Sequence, residues 1–207
     1  MNQVKILDCT LRDGGYYTDW NFSQNLTETY LQTVSKLPIS IVELGYLSSK
    51  NDLNGPFYHI SNKLLFKAKS ILRKNQRVFA MINFKELKNS EDLNKLIKGK
   101  NNYLDGIRFA VSPYDIEKVL KIISPAKKKY NKITFNINLM YLSKWINDDK
   151  LIKKIFDLLS YKVQTVSFVD SFGALNPEEI INFLKKLKKY NKSFKFGCHF
   201  HNNCGLA

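Results

Sequence analysis

Seven runs of apolar, β-branched and aromatic residues punctuate the chain: Val4–Cys9, Ser40–Gly45, Arg77–Asn83, Leu104–Ala110, Ile133–Leu139, Val163–Asp170 and Phe194–Phe200. Their starts are separated by 36, 37, 27, 29, 30 and 31 residues, each about one strand plus one helix. Val78-Phe79-Ala80-Met81-Ile82 is apolar without alternation, as in a parallel strand covered on both faces. Helical patterns fill the intervals. Asn176-Pro177-Glu178-Glu179 offers a cap, a proline at the first helical position and two acids facing the positive end of the helix dipole. Ile180, Ile181, Leu184 and Leu187 then predict one apolar stripe. Ser112-Pro113 with Asp115 predicts a second helix that turns Val119, Leu120 and Ile123 inward, and Leu151, Ile152, Ile155, Phe156 and Leu159 mark a third.

Repeated βα units with no intervening linker indicate either an open doubly wound sheet or a (β/α)8 barrel. The Gly-x-Gly-x-x-Gly fingerprint and the phosphate-cradling loop are both missing. Polar residues instead fall near the ends of several runs: Asp13, Glu43, Asn83, Arg108, Asn138, Asp170, Ser171, His199 and His201. Chemistry spread over many strand ends is the barrel pattern. The expectation is therefore an α/β fold, a (β/α)8 TIM barrel present as about seven βα units with the eighth strand missing, since a full barrel takes about 250 residues. On this reading residues 1–207 form one catalytic domain, incomplete at its C-terminal end.

Composition narrows the class. Hydrophobic residues at 44% and charged residues at 25% describe a soluble globular protein. Charges interrupt every longer apolar stretch, so no membrane partner is expected. The first apolar run, Val4 to Leu7, has no basic leader, and Cys9, Cys198 and Cys204 form no paired framework; both features point to the cytoplasm. Cys9, inside the first strand, and Cys198, alternating away from the face of His199 and His201, read as small buried hydrophobes. The net charge of +15 comes almost wholly from lysine, with Arg12, Arg73, Arg77 and Arg108 the only arginines. Nucleic-acid readers use Arg forks and interleaved aromatics, so no nucleic-acid partner is expected.

Side chains two apart on a strand share a face, so His199 and His201 present two imidazoles together. An acid and an arginine after the first strand supply further charge for a divalent cation with open coordination positions. Thr10-Leu11-Arg12-Asp13-Gly14, Val42-Glu43-Leu44-Gly45, Asp170-Ser171-Phe172-Gly173 and His199-Phe200-His201-Asn202 occur in that order along the whole chain. Together they resemble the DRE-TIM metallolyase superfamily. Its members include hydroxymethylglutaryl-CoA lyase, 4-hydroxy-2-oxovalerate aldolase, and the isopropylmalate and homocitrate synthases. Arg12-Asp13-Gly14-Gly15-Tyr16 lacks the Glu-Gln that follows in the synthases, which makes the hydroxy-oxovalerate aldolase type the nearest analogue.

The resemblance implies a divalent metal on Asp13, His199 and His201, Mn²⁺ in first place with Mg²⁺ or Zn²⁺ also compatible. It implies an aldolase or lyase that makes or breaks a carbon–carbon bond through a metal-stabilised enolate of a 2-oxo acid such as pyruvate. Arg12 matches the catalytic arginine; Arg108, Ser171 and Asp170 stand as substrate-binding residues; Glu43 is either catalytic or a partner of Arg12 or backbone. Tyr16 occupies the place of the aldolase's histidine base, so Tyr16, Tyr17 or a metal-bound water takes the proton, unless the tyrosines only pack over the barrel mouth. The metal-ligating Asn of the lyase and synthase branches falls beyond Ala207. His59 reads as surface structure or as a base or lid. Asp170 and Ser171 read equally as a turn before Pro177. The alternatives are an acyl-CoA-dependent condensing enzyme or lyase, and a catalytically silent truncated fragment. The expected partners are a small oxo-acid substrate and either another copy of the chain or an aldehyde dehydrogenase.

Overall fold

Short caps and buried apolar runs set the elements of this chain. The computed structural model describes residues 4–50, 52–159, 163–190, 195–203 and 205. The strands are β1 (Leu7–Asp8), β2 (Ile41–Tyr46), β3 (Arg77–Asn83), β4 (Gly106–Val111), β5 (Thr134–Leu139), β6 (Thr165–Asp170) and β7 (Lys195–Phe200). The helices are α1 (Thr10–Gly14), α2 (Gln24–Lys36), α3 (Asn62–Ile71), α4 (Ser90–Ile97), α5 (Ile116–Lys129), α6 (Asp149–Leu159) and α7 (Pro177–Tyr190). Strand order follows chain order, and the β1–β2, β2–β3, β5–β6 and β6–β7 pairs are parallel. A doubly wound sheet reverses its strand order partway, and this one does not. The fold is that of a TIM barrel with seven of its strand units present. Among the described residues no helix is long and apolar enough to cross a membrane.

The chain divides into two compact units, Met1–Arg108 with Ala126–Thr134, and Phe109–Pro125 with Phe135–Ala207. In the first, Ser23 caps α2 by accepting from Leu26 N–H, Ser61 caps α3 through Leu64 N–H, and Asn89 caps α4 through Glu91 and Asp92 N–H. Val78 to Ile82 of β3 are buried throughout, as their unbroken apolar run predicts. β1 is shorter than the expected Val4–Cys9. The Asp8 carboxylate takes the Thr10 N–H and hydroxyl at 3.0 and 3.2 Å, starts α1 at once, and leaves Cys9 half-buried after the strand.

The β2–β3 ladder contains one irregularity. Val42 pairs with Val78 and Glu43 with Phe79, but the next pair is Tyr46 with Met81, so β2 carries one extra residue between Glu43 and Tyr46. Gly45 sits in this bulge, where the Phe57 carbonyl oxygen comes so close that an added Cβ would lie 1.9 Å from it. Tyr46 N–H donates to that same carbonyl at 2.8 Å, and a Leu47–His59 bridge closes the loop behind it.

In the second unit Trp145, Phe156, Phe168 and Phe183 form an aromatic core under α6 and α7. Asn176 and Glu179 exchange hydrogen bonds with each other's backbone N–H at 3.0 and 2.9 Å, a reciprocal cap for α7. The buried stripe of α7 runs through Phe183 and Leu187, and Ile181, expected inside, is exposed. Cys198, also expected inside, is exposed, as are Phe196 and Phe200 on the same face of β7, because no described element covers that face. Cys204 and the expected strand start Phe194 lie outside the described residues.

The close approach at Gly45 gives a stability test. Gly45→Ala must displace the Phe57 backbone or the bulge, and is expected to cost about 3 kcal/mol in urea unfolding. A loss below about 0.5 kcal/mol would show that the bulge tolerates a side chain.

Candidate functional site

In the first unit, α1 follows β1 directly and carries Arg12 and Asp13. Arg12 is buried at 6% exposure, which obliges its guanidinium to find acceptors. Its Nε donates to Glu43 Oε1 at 2.8 Å, and its Nη1 donates to Asp13 Oδ1. Arg108 on β4 donates from Nη1 to the other Glu43 oxygen, Oε2, at 3.0 Å. Glu43 is fully buried. One carboxylate thus joins two guanidiniums, and with Asp13 the four groups carry no net charge. Burial by itself would loosen the proton of Arg12; Glu43, Tyr46 and Asp13 more than offset it, so the cation is permanent.

Trp20 buttresses this segment. Its indole N–H donates to the Arg12 carbonyl at 2.9 Å, and its ring lies where a Gly15 side chain would be. Tyr16 meets Trp20 edge-on at 4.7 Å, and its hydroxyl is 3.0 Å from that of Tyr46. Tyr17 is almost fully exposed. Cys9 Sγ lies 3.8 Å from Asp13 Oδ2, and burial pushes its thiol up to about 11, so it is protonated at neutral pH. His59 pairs with Asp52 at 2.9 Å in the loop after β2, among surface groups.

In the second unit His199 and His201 face each other with Nε2 atoms 3.3 Å apart and rings nearly perpendicular. His201 Nδ1 is 2.8 Å from the Asp170 carbonyl oxygen, which can only accept. That contact puts the proton on Nδ1 and the lone pair on Nε2, the tautomer a metal ligand needs. Two nitrogens bound to one ion at about 2.0–2.1 Å lie roughly 3–3.4 Å apart for octahedral or tetrahedral angles. The imidazole pair fits a divalent cation.

Asp170 is in register with Phe200, on the opposite face to Val169 and His199. Its Oδ2 accepts the Leu175 N–H at 3.0 Å, and its Oδ1 is buried with no hydrogen-bond partner among the described residues. Asp170 therefore braces the loop that begins at Ser171. Ser171 Oγ accepts the Tyr141 N–H at 2.9 Å, holding Tyr141 at a left-handed φ of 64°. Within the first unit the structure brings Arg12, Asp13, Glu43 and Arg108 together; within the second it joins the two histidines and sets the Asp170 side chain apart from them. Tyr46 and Trp20 were not singled out by their sequence context. Gly45 before an aromatic residue in an apolar strand was the one available signal for Tyr46.

No protein-family profile matches the chain. A solved structure, the N-terminal domain of a candidate aldolase from Bacteroides vulgatus, superimposes with a TM-score of 0.89 at 33% identity, covering 98% of this chain and 66% of that one. Among curated relatives, oxaloacetate decarboxylase of Mycobacterium tuberculosis is 24% identical over 98% of this chain and 58% of its own length. 4-Hydroxy-2-oxovalerate aldolase of Geobacillus genomosp. 3 is 21% identical over 99% of this chain and 59% of its own. 2-Isopropylmalate synthase of Oceanobacillus iheyensis is 24% identical over 100% and 41%. The chain thus spans between two fifths and three fifths of the curated relatives it matches.

The shared carboxylate makes a clear prediction. Glu43→Gln leaves two buried guanidiniums facing a neutral amide and is expected to destabilise the protein by about 3 kcal/mol, lowering Tm by roughly 10 °C. A Tm within about 2 °C of the parent would mean that the two arginines do not depend on it.

Proposed function

Because the chain belongs to the DRE-TIM metallolyase superfamily, we propose that it is a metal-dependent aldolase acting on a 2-oxo acid through a pyruvate-type enolate. The names of two relatives support the substrate class. Decarboxylating oxaloacetate and cleaving 4-hydroxy-2-oxovalerate both break a bond to C3 of a 2-oxo acid and leave the enolate of pyruvate. The observation that carries the reading is the imidazole pair, its Nε2 atoms spaced as ligands of one cation and the His201 proton held on Nδ1. We assign His199, His201 and Asp13 as the ligands and Mn²⁺ as the preferred ion, an N/N/O set that leaves positions for two substrate oxygens. The bound ion would supply Lewis acidity where enolate charge develops.

The chain's own residues then divide the remaining work. Arg12 is a fixed cation for the enolate oxygen, and its place is set by Glu43 on one side and by the Trp20–carbonyl hydrogen bond on the other. Arg108 completes the positive lining through the other Glu43 oxygen, and Ser171 offers its hydroxyl proton to a substrate carboxylate while holding Tyr141. The seven units act as one catalytic domain on this proposal. Release of an aldehyde makes an aldehyde-consuming dehydrogenase a natural companion. The isopropylmalate synthase relative favours a second reading, condensation of an oxo acid with an acyl-CoA.

Pyruvate in D₂O tests the choice. With Mn²⁺ the protein is expected to exchange the C3 protons, followed by NMR, and to release pyruvate from 4-hydroxy-2-oxovalerate. His199→Ala and Asp13→Asn should lose Mn²⁺ binding and at least about 100-fold of the exchange. Acetyl-CoA consumption with an oxo acid, and no retro-aldol cleavage, would transfer the assignment to the condensing reading. No Mn²⁺ binding by the parent protein would end both.

A further inference from the structure

The extra residue in β2 has a chemical consequence. Strict alternation from Glu43 would send Tyr46 to the opposite face, whereas the bulge returns it to the face of Glu43. Tyr46 is thereby buried beside Arg12 and Tyr16, and its hydroxyl meets that of Tyr16 at 3.0 Å. Tyr16 itself is 63% exposed, so its ring reaches solvent while its oxygen is tied to a buried hydroxyl. A second device holds the pair. Asp19 and Trp20 are consecutive non-glycine residues at φ 49° and 54°, a left-handed conformation that costs energy at each. Their turn lays the Trp20 ring over Gly15 and edge-on to both tyrosines, at 4.7 Å from Tyr16 and 5.7 Å from Tyr46. Tyr58, also in the cluster, spends its hydroxyl on Glu86 at 3.0 Å, near Lys50, and not on Tyr16.

We propose that Tyr46 is a positioning residue whose hydroxyl donates to the Tyr16 oxygen and makes Tyr16 the group that delivers and removes the proton at C3 of the substrate enolate. The proposal deepens the aldolase reading and rests on it. In the pyruvate-forming direction the Tyr16 O–H bond breaks, its electron pair stays on the phenolic oxygen, and the enolate π pair forms the new C3–H bond as the carbonyl is restored. The phenolate so formed accepts the Tyr46 hydrogen bond at the atom where charge develops. Tyr46 keeps its own proton: burial pushes it far up, Arg12 opposes, and Tyr16 and Glu43 reinforce burial. Tyr16 regains its proton from solvent. The reverse sequence exchanges the C3 protons of pyruvate.

Acetylation by N-acetylimidazole, which attacks the phenolate form, reads this hydrogen bond in the metal-free protein, with Tyr17 in the same peptide as internal reference. Peptide mass spectrometry is expected to show Tyr16 acetylation slowed about tenfold in Tyr46→Phe and unchanged in Tyr58→Phe, because one donated bond to a charged oxygen is lost. Simple loosening of the packing would speed the reaction, so an unchanged or faster rate in Tyr46→Phe overturns the proposal. Equal slowing in Tyr58→Phe overturns it as well. In the Mn²⁺-loaded protein Tyr46→Phe should lower kcat for pyruvate exchange about tenfold with KM unaltered, and Tyr16→Phe should lower it further. Wild-type protein that binds Mn²⁺ but exchanges nothing would overturn the aldolase reading, while slowed acetylation in the same preparation would still uphold the Tyr46–Tyr16 donor pair.

Discussion

One buried carboxylate governs the first unit. Arg12 and Arg108 could not both lie buried at 6% and 4% exposure in mutual repulsion, and Glu43 gives each a separate oxygen. The geometry is strict because a carboxylate has two oxygens and each is taken by a different chain segment. Glu43 can span the width of β3 to reach β4 only if the strand between them is packed tightly. Gly106 permits this, since the Phe79 ring fills the space a side chain would need there. The pair also fixes direction: Arg12 points inward because Glu43 does, and Asp13 follows on the next position of a five-residue helix. A buried ion pair of this kind adds little net stability compared with apolar packing, but it permits few alternative arrangements of α1.

Much of the fold was readable because its signals are local. A run such as Val78 to Ile82 identifies a doubly covered strand without reference to its neighbours, and β3 occurs where the run predicts. Asn176-Pro177 with Glu179 fixes the start of α7 through bonds spanning three residues. Burial was less readable, because it depends on what covers a face. Ile181 and Cys198 have core chemistry and the correct periodicity, yet both are exposed. Alternation assigns a face, and only a neighbour can bury it.

The site shows the same division. His199 and His201 could be matched from period two alone, since β7 is regular through Phe200. Period two also assigns the Asp170 side chain to the other face, although its motif had suggested a substrate contact. At Tyr46 the rule fails for a physical reason. The bulge is stabilised by the Phe57 carbonyl, eleven residues downstream, which accepts the Tyr46 N–H and excludes any side chain from position 45. That interaction is invisible in a strand-length window.

The resemblance sets Tyr16 where the aldolase has a histidine base, which on the proposed reading alters what the surroundings must supply. An imidazole exchanges protons near neutrality without help, whereas a phenol needs its anion stabilised before it can serve in either direction. On the proposed reading Tyr46 gives that stabilisation, and its place is set by elements unrelated to proton transfer in themselves: a bulge, a left-handed pair and an indole. Arg12 contributes twice, as the cation assigned to the enolate oxygen and as the charge beside the tyrosine pair. Glu43, which sets Arg12 in place, thereby conditions both steps. A substitution at Glu43 cannot be read as the loss of one hydrogen bond, because the enolate cation and the phenol pair would move together.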